Sequence, residues 1–328
     1  MQDARQFYIN GSWVQPLDGT ELTVMNPSNE EPFATISLGG QADTDAAVAA
    51  AKAAFPAWKN TPKADRIAAL ERLYAAYKER SDDMAQAISQ EMGAPIALAR
   101  SAQVGAGMAH FKDAINPLGE FEFEHQTDPN TPGSRILMEP VGVCALITPW
   151  NWPMNQVVLK VAPALAAGCT VVLKPSEVAP LSSYLFAEMV DAAGIPPGVF
   201  NLDNGDGTGV GTQLSVHPDV DMVSFTGSTR AGKAITKNAA DTIKRVTLEL
   251  GGKGANVIFA DADEKAVTRG VRHCFNNSGQ SCNAPTRMLV ERSMYDQAVE
   301  TAKAVAEQTE VGAAEVDGRQ IGPVVSDV

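Results

Sequence analysis

Short apolar runs alternate with longer stretches of helical periodicity along the second half of the chain. The apolar runs fall at residues 141–148, 170–173, 199–202, 222–225 and 245–250. Helical stretches lie between them at 153–167 and 181–193, with Gly168 and Gly194 as stops, and another helix follows Gly227. Strands that alternate with helices predict an α/β fold built on a doubly wound, Rossmann-like parallel sheet. Such sheets bind their ligands at the carboxyl ends of the strands.

The segments around this pattern divide the chain further. Asn10-Gly11 lies between two short apolar runs and predicts a hairpin with a type I′ turn, followed by Ala-rich helices from about Asp43. Residues 121–134 are polar and rich in turn formers, and a second βα pattern begins at residue 255. We therefore predict a first α/β domain from 1–117 and 139–249, an arm at 118–138 and an incomplete second α/β domain at 250–328.

Composition and charge narrow the class of protein. The chain has 328 residues, of which 45% are hydrophobic, enough for a packed core and two domains. Its formal net charge of −13 disfavours nucleic acid and anionic membranes as partners. The four cysteines form no CxxC pair and the four histidines show no metal-ligand spacing, so we expect no metal site and a cytoplasmic, reducing setting. No run resembles a signal core or spans a membrane.

A glycine-containing loop follows the apolar run at 222–225. From Gly227 through Ser228 and Thr229 to Gly232 its spacing is GxTxxG rather than GxGxxG. Where such a loop opens a helix, its backbone N–H groups and the helix dipole can hold a pyrophosphate. The alternative is that these glycines serve only the backbone geometry of a βα turn.

A second candidate binding pair lies just beyond the apolar run at 170–173. Glu177 can accept hydrogen bonds from both ribose hydroxyls of an adenosine, whereas its charge would oppose a 2′-phosphate, and Lys174 lies beside it. The pair therefore favours NAD over NADP, although NADP remains possible. The alternative is an exposed i,i+3 ion pair of little consequence.

Three segments carry residues suited to covalent acyl chemistry. Cys282 is a candidate nucleophile, Asn151 a neutral amide donor for an oxyanion, and Glu249 a candidate base. Each also has a structural alternative: a lone cysteine is often a small buried hydrophobe, Asn151 could cap a helix before Pro153, and Glu249 could balance Lys253.

The segments 148–153, 248–253 and 277–282 together resemble the aldehyde dehydrogenase superfamily, in its NAD(P)-dependent, hydrolytic type. The resemblance implies that Cys282 attacks an aldehyde to give a thiohemiacetal, that Asn151 holds the oxyanion, and that a hydride then passes to NAD. It implies that Glu249 activates the water that cleaves the resulting thioester. Lys160 matches a lysine that relays charge in some relatives; the alternative is an ordinary solvated helix residue.

The resemblance also implies the binding surfaces. The cofactor-binding residues would be Thr148, Trp150, Lys174, Glu177, Gly227, Ser228, Gly232 and Leu250. The substrate pocket would be lined by Trp152, Asn155, Gln156, Leu159 and Asn276. Since three of these pocket residues are amides, we expect a small polar aldehyde or semialdehyde rather than a long alkyl aldehyde.

The resemblance makes the first domain the NAD-binding domain and the second the catalytic domain, with the arm used to form homo-oligomers in the full-length protein. Family members are about half as long again as this chain, so we expect a C-terminally truncated protein that is poorly active alone and prone to associate. Two alternatives remain open. One is an enzyme that releases the thioester to coenzyme A, which Glu249 disfavours; the other is a non-catalytic NAD-binding fragment.

Overall fold

The computed structural model describes residues 1–128, 130–131, 133–318 and 320–327. The positions 129 and 132 of the predicted arm, and 319 and 328 of the predicted second domain, lie outside the described residues. The strands are β1 Gln2–Ala4, β2 Phe7–Ile9, β3 Ser12–Val14, β4 Thr20–Asn26, β5 Glu31–Leu38, β6 Glu124–Gln126, β7 Arg135–Leu137, β8 Val143–Ile147, β9 Thr170–Lys174, β10 Phe200–Leu202, β11 Met222–Gly227, β12 Arg245–Leu250, β13 Ala255–Ile258 and β14 Arg287–Val290.

The helices are α1 Gln41–Lys59, α2 Lys63–Glu79, α3 Ser81–Met92, α4 Ile96–Leu98, α5 Val104–Glu120, α6 Pro153–Ala167, α7 Leu181–Ala192, α8 Val210–Val216, α9 Thr229–Ala239, α10 Ala266–Phe275 and α11 Tyr295–Glu307. A π-helical turn, Ala99–Gln103, joins α4 to α5. Short 3₁₀ turns lie at Ala240–Thr242, Asn276–Gly279 and Arg292–Met294. Within the described ranges, no helix has both the length and the apolarity needed to cross a bilayer.

The largest sheet confirms the predicted doubly wound α/β fold. Its strand order is β12-β11-β8-β9-β10-β2-β3. The strands from β12 to β10 run parallel, and the hairpin β2–β3 adds an antiparallel edge. Every residue of β8 and β9 is buried, as expected when helices cover both faces of a parallel sheet.

The strand order reverses beside β8, and this reversal determines where a ligand can bind. The chain proceeds outward from β8 through β9 to β10, and then returns to the opposite side of β8 as β11. The loops that follow β8 and β11 therefore diverge to opposite faces of the sheet. Such a switch point opens a crevice at the carboxyl ends of the two strands.

The predicted N-terminal hairpin is confirmed. Asn10 and Gly11 have φ angles of 53° and 74°, the left-handed values that a type I′ turn requires at both central positions. β2 pairs with β3 over Phe7↔Val14, Tyr8↔Trp13 and Ile9↔Ser12.

An aromatic core fixes the helices on one face of the sheet. Tyr77, Phe111 and Phe186 are fully buried, and the rings of Phe111 and Phe186 stack with centroids 6.3 Å apart. The hydroxyl of Tyr77 donates to the carbonyl of Val104 at 3.2 Å, at the start of α5. This packing holds α5 against the rest of the domain and with it the π-helical turn that precedes α5.

The remaining described strands form smaller units. β6 and β7 pair as an exposed antiparallel hairpin inside the predicted arm. β13 and β14 pair in parallel, and a small apolar cluster that includes Ile258, Val271 and Ala298 packs α10 and α11 against them. The second βα pattern of the sequence therefore forms a separate parallel unit.

Candidate active site

A cavity of about 1110 Å³ lies at the switch point. It is bounded by the loop after β8, the start of α6, the ends of β11 and β12, and the segment 276–284. The sequence-predicted site residues that line it are Trp150, Asn151, Trp152, Asn155, Gln156, Gly227, Ser228, Leu250, Asn276 and Cys282. The predicted residues outside this lining are Thr148, Leu159, Lys160, Lys174, Glu177, Gly232 and Glu249.

The segment before Cys282 follows an unusual backbone path. Asn277, Ser278 and Gly279 all have left-handed φ angles, of 53°, 56° and 75°. Two consecutive non-glycine residues in that region are costly, and such conformations persist only where the surroundings hold them. Here the Ser278 hydroxyl donates to the carbonyl of Gly322 at 2.8 Å, and Cys282 emerges as an exposed thiol.

Asn151 connects the loop after β8 to this cysteine segment. Its side-chain Nδ2 donates to the backbone carbonyl of Gln280 at 2.6 Å. Its own backbone carbonyl accepts hydrogen bonds from Nδ2 of Asn277 at 2.9 Å and from Nε2 of Gln103 at 3.2 Å. The candidate amide donor is therefore fixed both at its side chain and at its main chain.

Gln103 is a site residue that the sequence analysis does not identify. It is fully buried on the π-helical turn, and its Nε2 also donates to Oδ1 of Asn277 at 3.3 Å. π-Helical turns often occur at functional sites, since the extra residue redirects one side chain. No local motif surrounds Gln103, so only the packing of α5 against α6 reveals its position.

Glu249 and Lys160 lie near one another but in different environments. Glu249 is exposed on the edge strand β12, so it does not form the helical pair with Lys253 considered above. Lys160 is buried on α6, and its Nζ donates to Oγ of Ser224 at 3.0 Å. Burial lowers the pKa of Lys160 to about 8, while the charge of Glu249 acts in the opposite direction.

The turn from β11 into α9 has features that suit a phosphate. Oγ of Ser228 caps α9 by accepting a hydrogen bond from the backbone N–H of Ala231 at 3.2 Å. A Cβ added at Gly232 would lie 2.8 Å from Leu250, so this glycine lets the helix approach β12 closely. Thr226 lines the cavity with a buried hydroxyl that has no partner among the described residues.

Lys174 is the last residue of β9 and Glu177 follows shortly after it, so both lie at the carboxyl ends of the parallel strands, outside the lining of the cavity. Nζ of Lys174 lies 2.9 Å from Oε2 of Glu177; the lysine side chain is buried, and the carboxylate is 32% exposed. The backbone N–H of Thr148 donates to the carbonyl of Lys174 at 3.1 Å, which joins the ends of β8 and β9. This arrangement leaves the carboxylate of Glu177 facing solvent next to the switch point.

The predicted substrate-pocket residues lie at the start of α6 and beside the cysteine. Nε1 of Trp152 donates to Oγ of Ser281 at 2.7 Å, and Oε1 of Gln156 is buried with no partner in the described part of the chain. Asn155 and Asn276 also line the cavity, whereas Leu159 is 40% exposed and outside its lining. Amide side chains thus lie in the pocket wall beside the cysteine, next to apolar surface.

The fold and the cavity define a doubly wound α/β protein whose switch-point crevice holds both a helix N-terminus suited to phosphate and an exposed thiol. The aldehyde dehydrogenase family model matches residues 13–328, and the chain belongs to the aldehyde dehydrogenase family.

Individual relatives agree with this assignment. The chain is 51% identical over 328 residues to a 3-succinoylsemialdehyde-pyridine dehydrogenase from Pseudomonas sp, covering 99% of this chain and 68% of that protein. It resembles the crystal structure of an aldehyde dehydrogenase from Bartonella henselae at 57% identity and a TM-score of 0.98, covering 100% of this chain and 69% of that one.

A further similar structure is a mutant of aldehyde dehydrogenase C from Pseudomonas syringae in complex with NAD⁺ and octanal. That chain is 48% identical with a TM-score of 0.96, and the match covers 99% of this chain and 66% of that one. The chain thus spans about two thirds of the length of the relatives named here.

Proposed function

We propose that this protein oxidises an aldehyde to a carboxylic acid, with NAD as the hydride acceptor and Cys282 as the nucleophile. The observation that carries the proposal is the meeting of Cys282, Asn151 and the Ser228 end of α9 in one cavity. A nucleophile, an oxyanion donor and a phosphate-binding helix end are the groups that this reaction requires within reach of one another.

The first half of the reaction follows from these groups. The thiolate of Cys282 attacks the carbonyl carbon, and a C–S bond forms as the carbonyl π electrons move to oxygen. An amide Nδ2 carries two hydrogens, so Asn151 can donate one to Gln280 and the other to the oxyanion. The C–O double bond then re-forms and expels hydride, which leaves a thioester on Cys282 and an aldehyde carbon oxidised by two electrons.

The second half is hydrolysis. Glu249 takes a proton from water, the resulting hydroxide attacks the thioester, and the thiolate of Cys282 leaves with the C–S electrons. The products are a carboxylic acid and the free enzyme. The buried Lys160, which lies close enough to be influenced by the charge of Glu249, would help to accommodate charge during this step.

The proposed cofactor site rests on the β11–α9 turn, where Ser228 caps α9 and Gly232 lets this helix approach β12 closely. Ser228, Gly227 and Gly232 would hold the pyrophosphate, and Thr148, Trp150 and Leu250 would flank it, with Lys174 and Glu177 at the adenosine ribose. When bound there, NAD supplies a carbon that accepts hydride. The similar structure from Pseudomonas syringae is itself a complex with NAD⁺. Glu177 favours NAD, with NADP as a weaker option.

The amide side chains in the pocket wall support a small polar aldehyde or semialdehyde as the substrate class. Asn155, Gln156 and Asn276 line the cavity, and the similar protein from Pseudomonas sp is named for a semialdehyde. We propose that the protein acts in the cytoplasm, where reducing conditions keep a nucleophilic thiol such as Cys282 available. The exposed β6–β7 hairpin would contribute to a homo-oligomer.

The proposal is tested by NADH absorbance after the protein is mixed with NAD and a panel of short aldehydes, with Cys282→Ser as the variant and Cys274→Ser as the matched control. We expect slow NADH production that is lost in Cys282→Ser and kept in the control. Formation of acyl-CoA when coenzyme A is added to the reaction would favour the acylating alternative. NAD binding without any NADH would favour the non-catalytic alternative.

A further inference from the structure

A histidine on α5 contacts the wall of the substrate pocket. Nε2 of His110 lies 2.7 Å from Oδ1 of Asn155, and His110 is outside the lining of the cavity while Asn155 is part of it. Nδ1 of the same ring lies 3.8 Å from Oδ2 of Asp113, one turn further along α5, whose side chain is 76% exposed. His110 therefore bridges the exposed face of α5 and the pocket.

This contact determines which end of the Asn155 amide is free. The Oδ1 atom only accepts hydrogen bonds, so His110 must donate from Nε2, as both the imidazolium and the Nε2-protonated neutral ring can. With His110 in either of these forms, turning the amide over would place Nδ2 against an N–H donor and lose this bond. Its Nδ2 has no partner among the described residues, so the pocket wall presents an N–H donor at this point.

The position of Asn155 along the pocket indicates where a ligand would meet this donor. Asn155 lies in the first turn of α6, four residues after Asn151, the candidate oxyanion donor, and both residues line the cavity with Cys282. An aldehyde bound with its carbonyl carbon at Cys282 and its chain along the cavity would bring a carbon further along that chain towards Asn155. A ketone or carboxylate oxygen at that carbon could accept the Nδ2 hydrogen, whereas a methylene group would leave it unpaired.

We infer that His110 is a positioning residue that fixes Asn155 as a hydrogen-bond donor and thereby selects aldehydes that carry a second oxygen acceptor beyond the reacting carbonyl. This inference rests on the proposed function and narrows its substrate class. A donor that a bound ligand covers without pairing costs more than a pair gains, so the discrimination acts mainly against plain alkyl aldehydes.

The test uses a matched pair of substrates, pentanal and 4-oxopentanal, which differ by one ketone oxygen. We expect kcat/KM to favour 4-oxopentanal in the wild-type protein. In His110→Ala this preference should fall about fivefold, the value of one hydrogen bond of about 1 kcal/mol, through a rise in KM at nearly constant kcat. His110→Gln retains an N–H donor and should restore the preference, and His125→Ala, on the exposed β6–β7 hairpin, should keep it.

A double-mutant cycle adds a result that a merely structural role would not give. Since His110 acts through Asn155, the variant Asn155→Leu should lose the preference, and adding His110→Ala to it should change nothing further. Equal losses for pentanal and 4-oxopentanal in His110→Ala, or additive losses in the cycle, would overturn the inference.

Calorimetry with the two acids, pentanoate and 4-oxopentanoate, separates this inference from the proposed function, because it requires no turnover. Tighter binding of 4-oxopentanoate that is lost in His110→Ala would support the inference even if no NADH is formed. Equal binding of the two acids by the wild-type protein would overturn it, whatever the activity.

Discussion

The side-chain amide of Asn151 donates a hydrogen bond of 2.6 Å to the backbone carbonyl of Gln280, two residues before Cys282. This bond joins the loop at the switch point of the sheet to the cysteine segment, which would otherwise depend on its own left-handed backbone. It also orients Nδ2, whose second hydrogen is left for a ligand. The same amide thus serves both the conformation of the segment and the chemistry we propose.

Asn151→Ala removes the proposed oxyanion donor, so we expect kcat to fall about a hundredfold or more, as for other oxyanion-hole donors. The measurement is steady-state NADH formation with NAD saturating. Asn60→Ala is a matched control, because Nδ2 of Asn60 also donates to a backbone carbonyl, that of Pro56 at 2.8 Å, but on the exposed end of α1. A kcat for Asn151→Ala close to that of the control would remove Asn151 from the mechanism.

Gln103→Leu keeps the volume of the buried side chain but removes its bonds to Asn151 and Asn277. We expect the free energy of unfolding to fall by about 1–2 kcal/mol and kcat to fall about tenfold, since both partners lie in the site. Gln90→Leu, on the exposed side of α3, should change neither quantity. A loss of stability with unchanged kcat would mean that Gln103 supports the fold but does not position the site.

Lys160 predicts a pH dependence of stability. Burial lowers its pKa from 10.5 in the unfolded chain to about 8 in the folded one, so between these values the unfolded chain holds more protons. Raising the pH through this window therefore favours the folded state. Relative to Lys160→Met, the wild-type protein should gain about 2 kcal/mol of unfolding free energy between pH 7 and pH 10.

Urea unfolding of both proteins at several pH values measures this difference. Lys78→Met, on the exposed face of α2, serves as the control and should run parallel to the wild type. If the Lys160→Met profile also runs parallel, the lysine is solvated in solution and its burial is not maintained.

Glu177→Gln tests the choice between NAD and NADP. The charge of Glu177 should repel a 2′-phosphate, so its removal should raise the ratio of kcat/KM for NADP to that for NAD about fivefold, the effect of one partly exposed charge contact. Glu188→Gln on α7 removes a carboxylate that pairs with Arg80 instead and should leave the ratio unchanged. An unchanged ratio in Glu177→Gln would mean that the ribose binds elsewhere.

The pattern of apolar runs predicts the parallel sheet well, since local signals define each strand and helix. The helix predicted at 153–167 is α6, and its stop at Gly168 has the left-handed φ of 93° that a helix end favours. The strand predicted at 245–250 matches β12. These elements are fixed by residues close to one another along the chain.

Contacts between distant segments could not be predicted in the same way. Gln103 and His110 meet Asn151 and Asn155 only because α5 packs beside α6, and no motif marks either residue. The sheet of β1, β5 and β4 is likewise absent from the prediction, because its pairing depends on the return of the chain after residue 26. Which side chains of a helix reach a cavity also depends on packing between distant segments. Leu159 is exposed and lies outside the lining of the cavity, whereas Asn155 on the same helix is part of it.

We propose above that Cys282 carries an acyl group during turnover. The most direct test of this proposal is the intact mass of Glu249→Gln after mixing with NAD and a short aldehyde, since loss of the proposed base should slow hydrolysis and let the thioester accumulate. We predict an added mass equal to the acyl group, located on Cys282 by peptide mapping and absent when Cys282 is replaced by serine. Unmodified protein during continued NADH formation, or the same added mass on the Cys282→Ser variant, would contradict it.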